Sequence, residues 1–211
     1  SYKDLSYDKD YAMISRLLLL FNIQSIIKSK STQRFPFSQY NTSEWSLEHI
    51  HAQQSEGLRT TENRIKWLNT HIEYVIKSKK KFDKESLISK MQEAIDKKLI
   101  TQVEFENMAS DVFNALSEDG DNRYVDLISN MALLSRDMNS KLNNSVFAVK
   151  RDAIIDLDKK GSFIPYCTKM VFLKYYTSSN ETQFEFWSSA DRDAYTTEMS
   201  KILDPYLKLI E

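Results

Sequence analysis

The sequence contains very little cysteine, glycine or proline. Cys167 is the only cysteine among 211 residues, which excludes a disulfide framework and a zinc site built from cysteines. Three glycines and three prolines are few helix breakers, so we predict long helices and few tight turns. The sequence has no glycine-rich phosphate-binding loop, and we do not expect this chain itself to hydrolyse nucleotides.

We also find no clear membrane span or signal peptide. The most apolar run, residues 14–27, contains four consecutive leucines but is interrupted by Arg16, Asn22 and Gln24. A span needs about 20 predominantly apolar residues, so residues 10–29 are predicted to form a buried core helix. We therefore expect a cytoplasmic protein without membrane contact.

The net charge of −1 shows none of the basic excess that is typical of nucleic-acid binding. Local basic clusters are more informative than this total. The run Lys77 to Lys81 is typical of a solvated helix end, whereas Lys150 and Arg151 follow a motif described below. The length allows one or two domains, and 41% hydrophobic residues with 28% charged residues is typical of a globular protein.

Two short strings carry most of the chemical information. The first, residues 45–50, places the carboxylate of Glu48 next to the imidazole of His49, and the second places Asn130 nine positions before Asn139. Carboxylate and amide oxygens are hard ligands that suit Mg²⁺. A neutral imidazole can take a proton from water, and a second amide can orient that imidazole. These are the components of metal-assisted phosphodiester hydrolysis.

The adjacency of Glu48 and His49 poses a geometric problem. Neighbouring residues on a regular strand point to opposite faces of the sheet. For both side chains to reach one metal site, the strand must bulge or end there. His49 and His51 share a face at strand spacing, and a His-x-His metal pair is therefore an alternative.

These strings resemble the HNH, or ββα-metal, endonuclease domains. They are most similar to the domain at the C-terminus of GmrSD-type, modification-dependent restriction proteins, and the HNH domain of CRISPR nucleases has the same nine-residue step between two asparagines. The resemblance runs from about Arg34 to Tyr176. The family usually shows His-Ile-x-Pro-Gln, where this chain keeps Gln53 but has Ala52 instead of proline. The matching residues are Glu48-His49-Ile50, Asn130-Met131-Ala132-Leu133-Leu134, Asn139, and the Asn-x-x-Phe-x-x-Lys string from Asn144 to Lys150.

The resemblance implies an α+β, predominantly helical fold with a ββα-metal core. Its strands would be residues 45–50 and 131–134, and its helix would be residues 146–159. We divide the chain into an N-terminal helical segment, a nuclease core with a long helical insertion, and a C-terminal helical segment packed on that core. These parts span residues 1–44, 45–160 with insertion 57–119, and 161–211. Apolar periodicity predicts the remaining helices at residues 57–79, 84–97, 102–117, 166–176 and 190–209.

The resemblance also assigns roles to four residues. His49 would be the general base, and Asn130 would hold its ring in one orientation. Glu48 and Asn139 would bind Mg²⁺ or Mn²⁺. Each has a plainer alternative: a structural histidine, an exposed strand carboxylate, or, for the asparagines, capping and turn residues.

Three further residues are expected to contact nucleic acid, namely Asn144, Lys150 and Arg151. The expected substrate is double-stranded DNA, nicked by metal-dependent hydrolysis in a bacterial anti-phage restriction system. The chain does not begin with Met, and we expect a preceding nucleotide-hydrolysing, DNA-sensing domain of the same protein. A homo-oligomer is a further expectation. The alternative function is a catalytically inactive HNH-like module that binds DNA or a protein.

Overall fold

The computed structural model describes residues 2–29, 34–52, 58–118, 123–142, 144–180 and 183–207. Within these residues the fold is α+β and predominantly helical, as predicted, with nine α-helices and one two-stranded sheet. Two short 3₁₀ turns, at Tyr2–Asp4 and Ile128–Asn130, complete the regular structure. The elements are α1 Tyr7–Lys28, α2 Phe37–Asn41, β1 Trp45–His49, α3 Thr61–Lys77, α4 Lys84–Lys97, α5 Gln102–Ala115, β2 Met131–Ser135, α6 Arg136–Leu142, α7 Phe147–Lys159, α8 Tyr166–Phe172 and α9 Ser189–Leu207.

The two strands pair antiparallel although 81 residues lie between them in the sequence. The register runs without interruption from Trp45 opposite Ser135 to His49 opposite Met131. Both strands lie within one residue of their predicted bounds. The predicted helix after the second strand is α7, and the short α6 between them was not predicted.

The helices between the strands form a unit with its own apolar core. α3, α4 and α5 correspond to the three predicted helices, while the predicted limits 57 and 119 lie outside the described residues. The Thr60 side chain caps α3 by accepting a hydrogen bond from the Asn63 amide. Thr101 and Glu104 form a reciprocal capping box at the start of α5. Side chains buried between these helices include Trp67, Leu68, Met91, Phe105 and Val112.

The second core joins both ends of the chain to the sheet. α1, α8 and α9 bury apolar side chains against β1, β2 and α7. α1 is long and apolar enough to cross a membrane by length and composition alone. In the fold, its side chains Ile14, Leu17, Leu18 and Phe21 are part of this core, as predicted for a core helix.

α8 ends earlier than predicted because Lys174 turns into the protein. Its backbone adopts a left-handed conformation with φ of 57°. Its ammonium group donates to the Phe186 carbonyl at 2.6 Å and lies 2.5 Å from Asp191 Oδ2, and both charged side chains are fully buried. Asp191 also accepts hydrogen bonds from Thr177 and Ser188, and its amide donates to the Oγ of Ser188, the residue before α9.

This buried pair generates a stability prediction. Asp191→Asn keeps the side-chain volume but leaves the Lys174 ammonium without a compensating charge, so we expect a loss of about 3–5 kcal/mol in the free energy of unfolding. The measurement is urea unfolding at neutral pH. Asp193→Asn, on the exposed side of the same helix, is the matched control and should change stability by less than about 0.5 kcal/mol. Equal stability of the two variants would show that the ion pair contributes nothing specific.

Candidate active site

Glu48 is held at the end of β1 by a lysine of α7. Its side chain is almost fully buried, and Oε1 lies 2.5 Å from Lys150 Nζ. Oε1 accepts no hydrogen bond of acceptable angle, so the contact is an ion pair. The same ammonium group donates to the His49 carbonyl oxygen at 2.6 Å. The prediction that Lys150 contacts DNA is therefore corrected: its side chain has no exposed area, because a buried carboxylate requires a buried counter-charge.

Glu48 and His49 contact different helices. Glu48 meets Lys150 of α7, whereas the His49 ring packs on Tyr7 of α1 with ring centroids 4.8 Å apart. The strand pairing contains no bulge, and β1 ends at His49. The strand therefore ends at this position, as one of the two expected geometries requires, while the two side chains keep different partners.

The His49 ring is partly accessible and has a carboxylate partner. Its side chain is 26% exposed, and Nε2 lies 3.1 Å from Oδ1 of Asp126. Burial lowers the pKa of His49 below its usual value; the hydrogen bond to Asp126 opposes this shift, and the positive charge of Lys150 adds to it. The ring is therefore predominantly neutral at pH 7, which is the form that can accept a proton.

Asn130 does not contact the His49 ring in the way we predicted. It is fully buried, and its amide nitrogen donates to the carbonyl oxygens of Val125 (2.8 Å) and His51 (2.9 Å). Its Oδ1 accepts from the His51 amide at 3.0 Å. Since both amide protons bind backbone oxygens, Asn130 braces the chain that leaves β1, and Asp126 is the residue that contacts the ring.

Asn139 lies on the Glu48 side of β1. Its amide nitrogen donates to Ser46 Oγ at 2.9 Å and to the Leu47 carbonyl at 3.1 Å. Ser46 and Glu48, two residues apart, share a face of the strand. These bonds fix the amide plane, and Oδ1 has no hydrogen-bond partner among the residues that the structure describes.

We tested whether these groups fit a magnesium ion. The described residues contain no group of three or more His, Cys, Asp or Glu side chains that suits a metal. Mg²⁺, however, commonly uses one or two carboxylates together with waters and substrate phosphates. Glu48 Oε1 and Asn139 Oδ1 are oxygens without a hydrogen bond in the described part of the chain, and the first is ion-paired with Lys150. These carboxylate and amide oxygens suit such a partly hydrated ion. The ammonium group of Lys150 lies beside the Glu48 carboxylate.

The other predicted DNA contacts are separated from this cluster. Arg151 lies 3.3 Å from Asp152 and stacks over the Phe184 ring at 4.3 Å. Asn144 is exposed with a left-handed backbone (φ 45°), and its carbonyl accepts from Trp67 Nε1 at 3.5 Å. The structure therefore brings Glu48, His49 and Lys150 together but leaves Arg151 engaged with other side chains. Gln53 lies outside the described residues.

The alternative pair of His49 and His51 is not supported by their surroundings. The His51 ring is buried against Phe113 of α5, with centroids 6.1 Å apart, whereas the His49 ring packs on α1. Burial, with smaller effects from Lys150 and Arg192, lowers the pKa of His51 to about 3. The two imidazoles thus belong to different cores.

The third histidine, His71, is fully buried and serves structure. Its ring stacks on Trp67 at 3.5 Å. Nδ1 donates to the Trp67 carbonyl at 2.8 Å, and Nε2 accepts from the Val146 amide at 3.3 Å. Burial lowers the pKa of His71 to about 3; the hydrogen bond to the Trp67 carbonyl opposes this shift, and the positive charge of Lys150 adds to it.

Sequence reasoning missed three residues around the His49 ring. Asp126 contacts the ring, and its carbonyl accepts from the Tyr7 amide at 2.8 Å. Tyr11, one turn further along α1, accepts from the Leu47 amide at 3.2 Å. The i, i+4 spacing of Tyr7 and Tyr11 marks a common helix face, but nothing in the sequence indicates that this face meets β1.

No family model matches the sequence, and neither the curated proteins nor the solved structures contain a match to it.

Because of its buried histidines, we predict that the protein loses stability in acid. Their pKa is lower in the folded chain (about 3 for His51 and His71) than in the unfolded chain (about 6.5). The unfolded chain therefore binds protons that the folded chain rejects, and stability falls as the pH drops below about 6.5. Each histidine should contribute up to about 1.4 kcal/mol per pH unit.

The measurement is urea unfolding between pH 7.5 and 5. His71→Gln retains an amide for hydrogen bonding. In this variant, the slope of the free energy of unfolding against pH should fall by the contribution of about one proton. An unchanged slope in this variant would show that His71 is not protonated on unfolding.

Proposed function

We propose that this protein is a metal-dependent DNA endonuclease of the HNH class, which nicks one strand per catalytic event. The observation that carries the proposal is a partly exposed imidazole, its pKa lowered by burial, that follows a buried carboxylate in the chain at the end of β1. The antiparallel pair β1–β2 with α7 against its end supports the ββα reading. The motif resemblance supplies the reaction class.

In this proposal His49 removes a proton from the water that attacks the phosphorus. Its lowered pKa keeps the ring in the accepting form near neutral pH. Glu48 and Asn139 would hold Mg²⁺ or Mn²⁺, which when bound stabilises negative charge on the leaving 3′ oxygen. Lys150 holds the Glu48 carboxylate and the His49 carbonyl in fixed positions, and this rigidity limits misalignment of the base.

The biological setting is part of the proposal. The substrate would be double-stranded DNA, and the protein would be the effector of a bacterial anti-phage restriction system in the cytoplasm. A nucleotide-hydrolysing, DNA-sensing domain of the same protein would select the target. A double-strand break would require two copies or two events, because one base and one metal cut one strand.

One observation favours a second candidate, an inactive HNH-like module that binds DNA or a protein. The charge of Glu48 is already compensated by Lys150, and both side chains are buried. A buried ion pair of this kind can serve structure alone. Metal-dependent nicking separates the two functions.

The first test of the proposed function concerns the base. His49→Ala should lower the rate of plasmid nicking with Mg²⁺ by about 10²–10⁴-fold. The DNA affinity and melting temperature should stay near those of the original chain, because the ring is partly exposed. A variant that retains full nicking activity would remove His49 from the mechanism, and absence of metal-dependent nicking in the unaltered protein would favour the inactive module.

A second test concerns the metal ligands. Asn139→Ala should raise the Mg²⁺ concentration for half-maximal nicking at least by the roughly 10–100-fold typical of losing a supporting group at a metal site, and excess Mn²⁺ should restore part of the rate. Asn107→Ala, an exposed asparagine on α5, is the matched control and should titrate like the original chain. Nicking that persists in EDTA, or an equal loss at every metal concentration, would count against this ligand assignment.

A further inference from the structure

A carboxylate outside both recognised strings contacts the proposed base. Asp126 Oδ1 lies 3.1 Å from His49 Nε2, across 77 positions of sequence. A carboxylate can only accept hydrogen bonds, so the ring nitrogen in this contact carries the proton. In the neutral ring the other nitrogen, Nδ1, is then the acceptor.

The backbone of Asp126 is fixed by neighbours on both sides. Its carbonyl oxygen accepts from the Tyr7 amide at 2.8 Å, and the preceding Val125 carbonyl accepts from Asn130 at 2.8 Å. Two residues further on, the Ile128 amide donates to the Leu5 carbonyl at 3.1 Å. The carboxylate therefore projects from a braced segment, although its side chain is 48% exposed.

The ring is also restrained on its face. Tyr7 packs against it with centroids 4.8 Å apart, and Tyr7 is the same residue whose amide binds Asp126. One stretch of chain therefore fixes both the plane of the imidazole and the carboxylate at its edge. A solvated surface pair has no such support and is worth little.

We propose that Asp126 is the positioning residue for His49: it binds Nε2–H and so presents Nδ1 to the water. The inference depends on the proposed nuclease function for its consequence, but the ring geometry can be measured without activity. Asn130 then acts on the base only indirectly, by holding Val125 and the segment beside Asp126. The role that the sequence assigned to an amide is thus filled by a carboxylate four positions earlier.

The experiment combines ring-nitrogen NMR with nicking kinetics. In the full chain labelled with ¹⁵N-histidine at pH 7.5, the His49 resonances should show the Nε2–H form, identified by their absence in His49→Ala. Asp126→Ala should give a mixture of both neutral forms. Its nicking rate at saturating Mg²⁺ and DNA should fall about 10–100-fold, with KM and the metal dependence unchanged.

Three controls sharpen the result. Asp126→Glu should recover part of the rate, since it restores an acceptor. Asp111→Ala, an exposed aspartate on α5, should match the original chain in both measurements. Asp126→Ala added to His49→Ala should cause no further loss, because the residue acts only through the ring.

The outcomes distinguish this inference from the proposed function. An unchanged Nε2–H form in Asp126→Ala overturns the positioning role, even if nicking is observed. A redistributed ring proton in a protein that never nicks DNA supports the contact and overturns the nuclease. A fall in rate caused by a raised KM alone would assign Asp126 to DNA binding and would also overturn the inference.

Discussion

The buried ion pair between Glu48 and Lys150 is the constraint on which the candidate site depends. It joins the penultimate residue of β1 to the first turn of α7, and Lys150 adds a hydrogen bond to the His49 carbonyl. A carboxylate and an ammonium group taken out of water are tolerated only when each compensates the other. These two contacts consequently fix the position of β1 relative to α7 at Glu48 and His49, the residues proposed to take part in the reaction.

That constraint has opposite implications for the two functions considered. For a nuclease, the ion pair holds a carboxylate oxygen at the same strand end as a neutral imidazole, and the imidazole takes no part in the pair. For an inactive module, it removes the need for a metal, since the charge of Glu48 is balanced. Asn139 favours the nuclease. Its side-chain amide nitrogen is fixed by Ser46 and Leu47, while its side-chain oxygen has no partner among the described residues.

The sequence predicts the elements better than it predicts the contacts of individual polar residues. Both strands and the helices of the insertion follow from apolar patterns and local caps, which are properties of short segments. The burial of Lys150 also had a local signal: Phe147, Lys150 and Ile154 recur at helical spacing on one face, and all three are buried. The contact of Asn130 with His51 and that of Asp126 with His49 had none, because they join residues 79 and 77 positions apart.

The helical insertion has a direct connection to the site. His71 of α3 accepts a hydrogen bond from the Val146 amide, and Trp67 donates to the Asn144 carbonyl, both immediately before α7. The free amides at the start of a helix need acceptors, and here a buried neutral imidazole serves the residue that precedes the helix. α7 is thus held at its start by the insertion and at Lys150 by β1. The insertion therefore does more than separate the two strands in sequence: it helps to set the position of the helix that carries the counter-charge of Glu48.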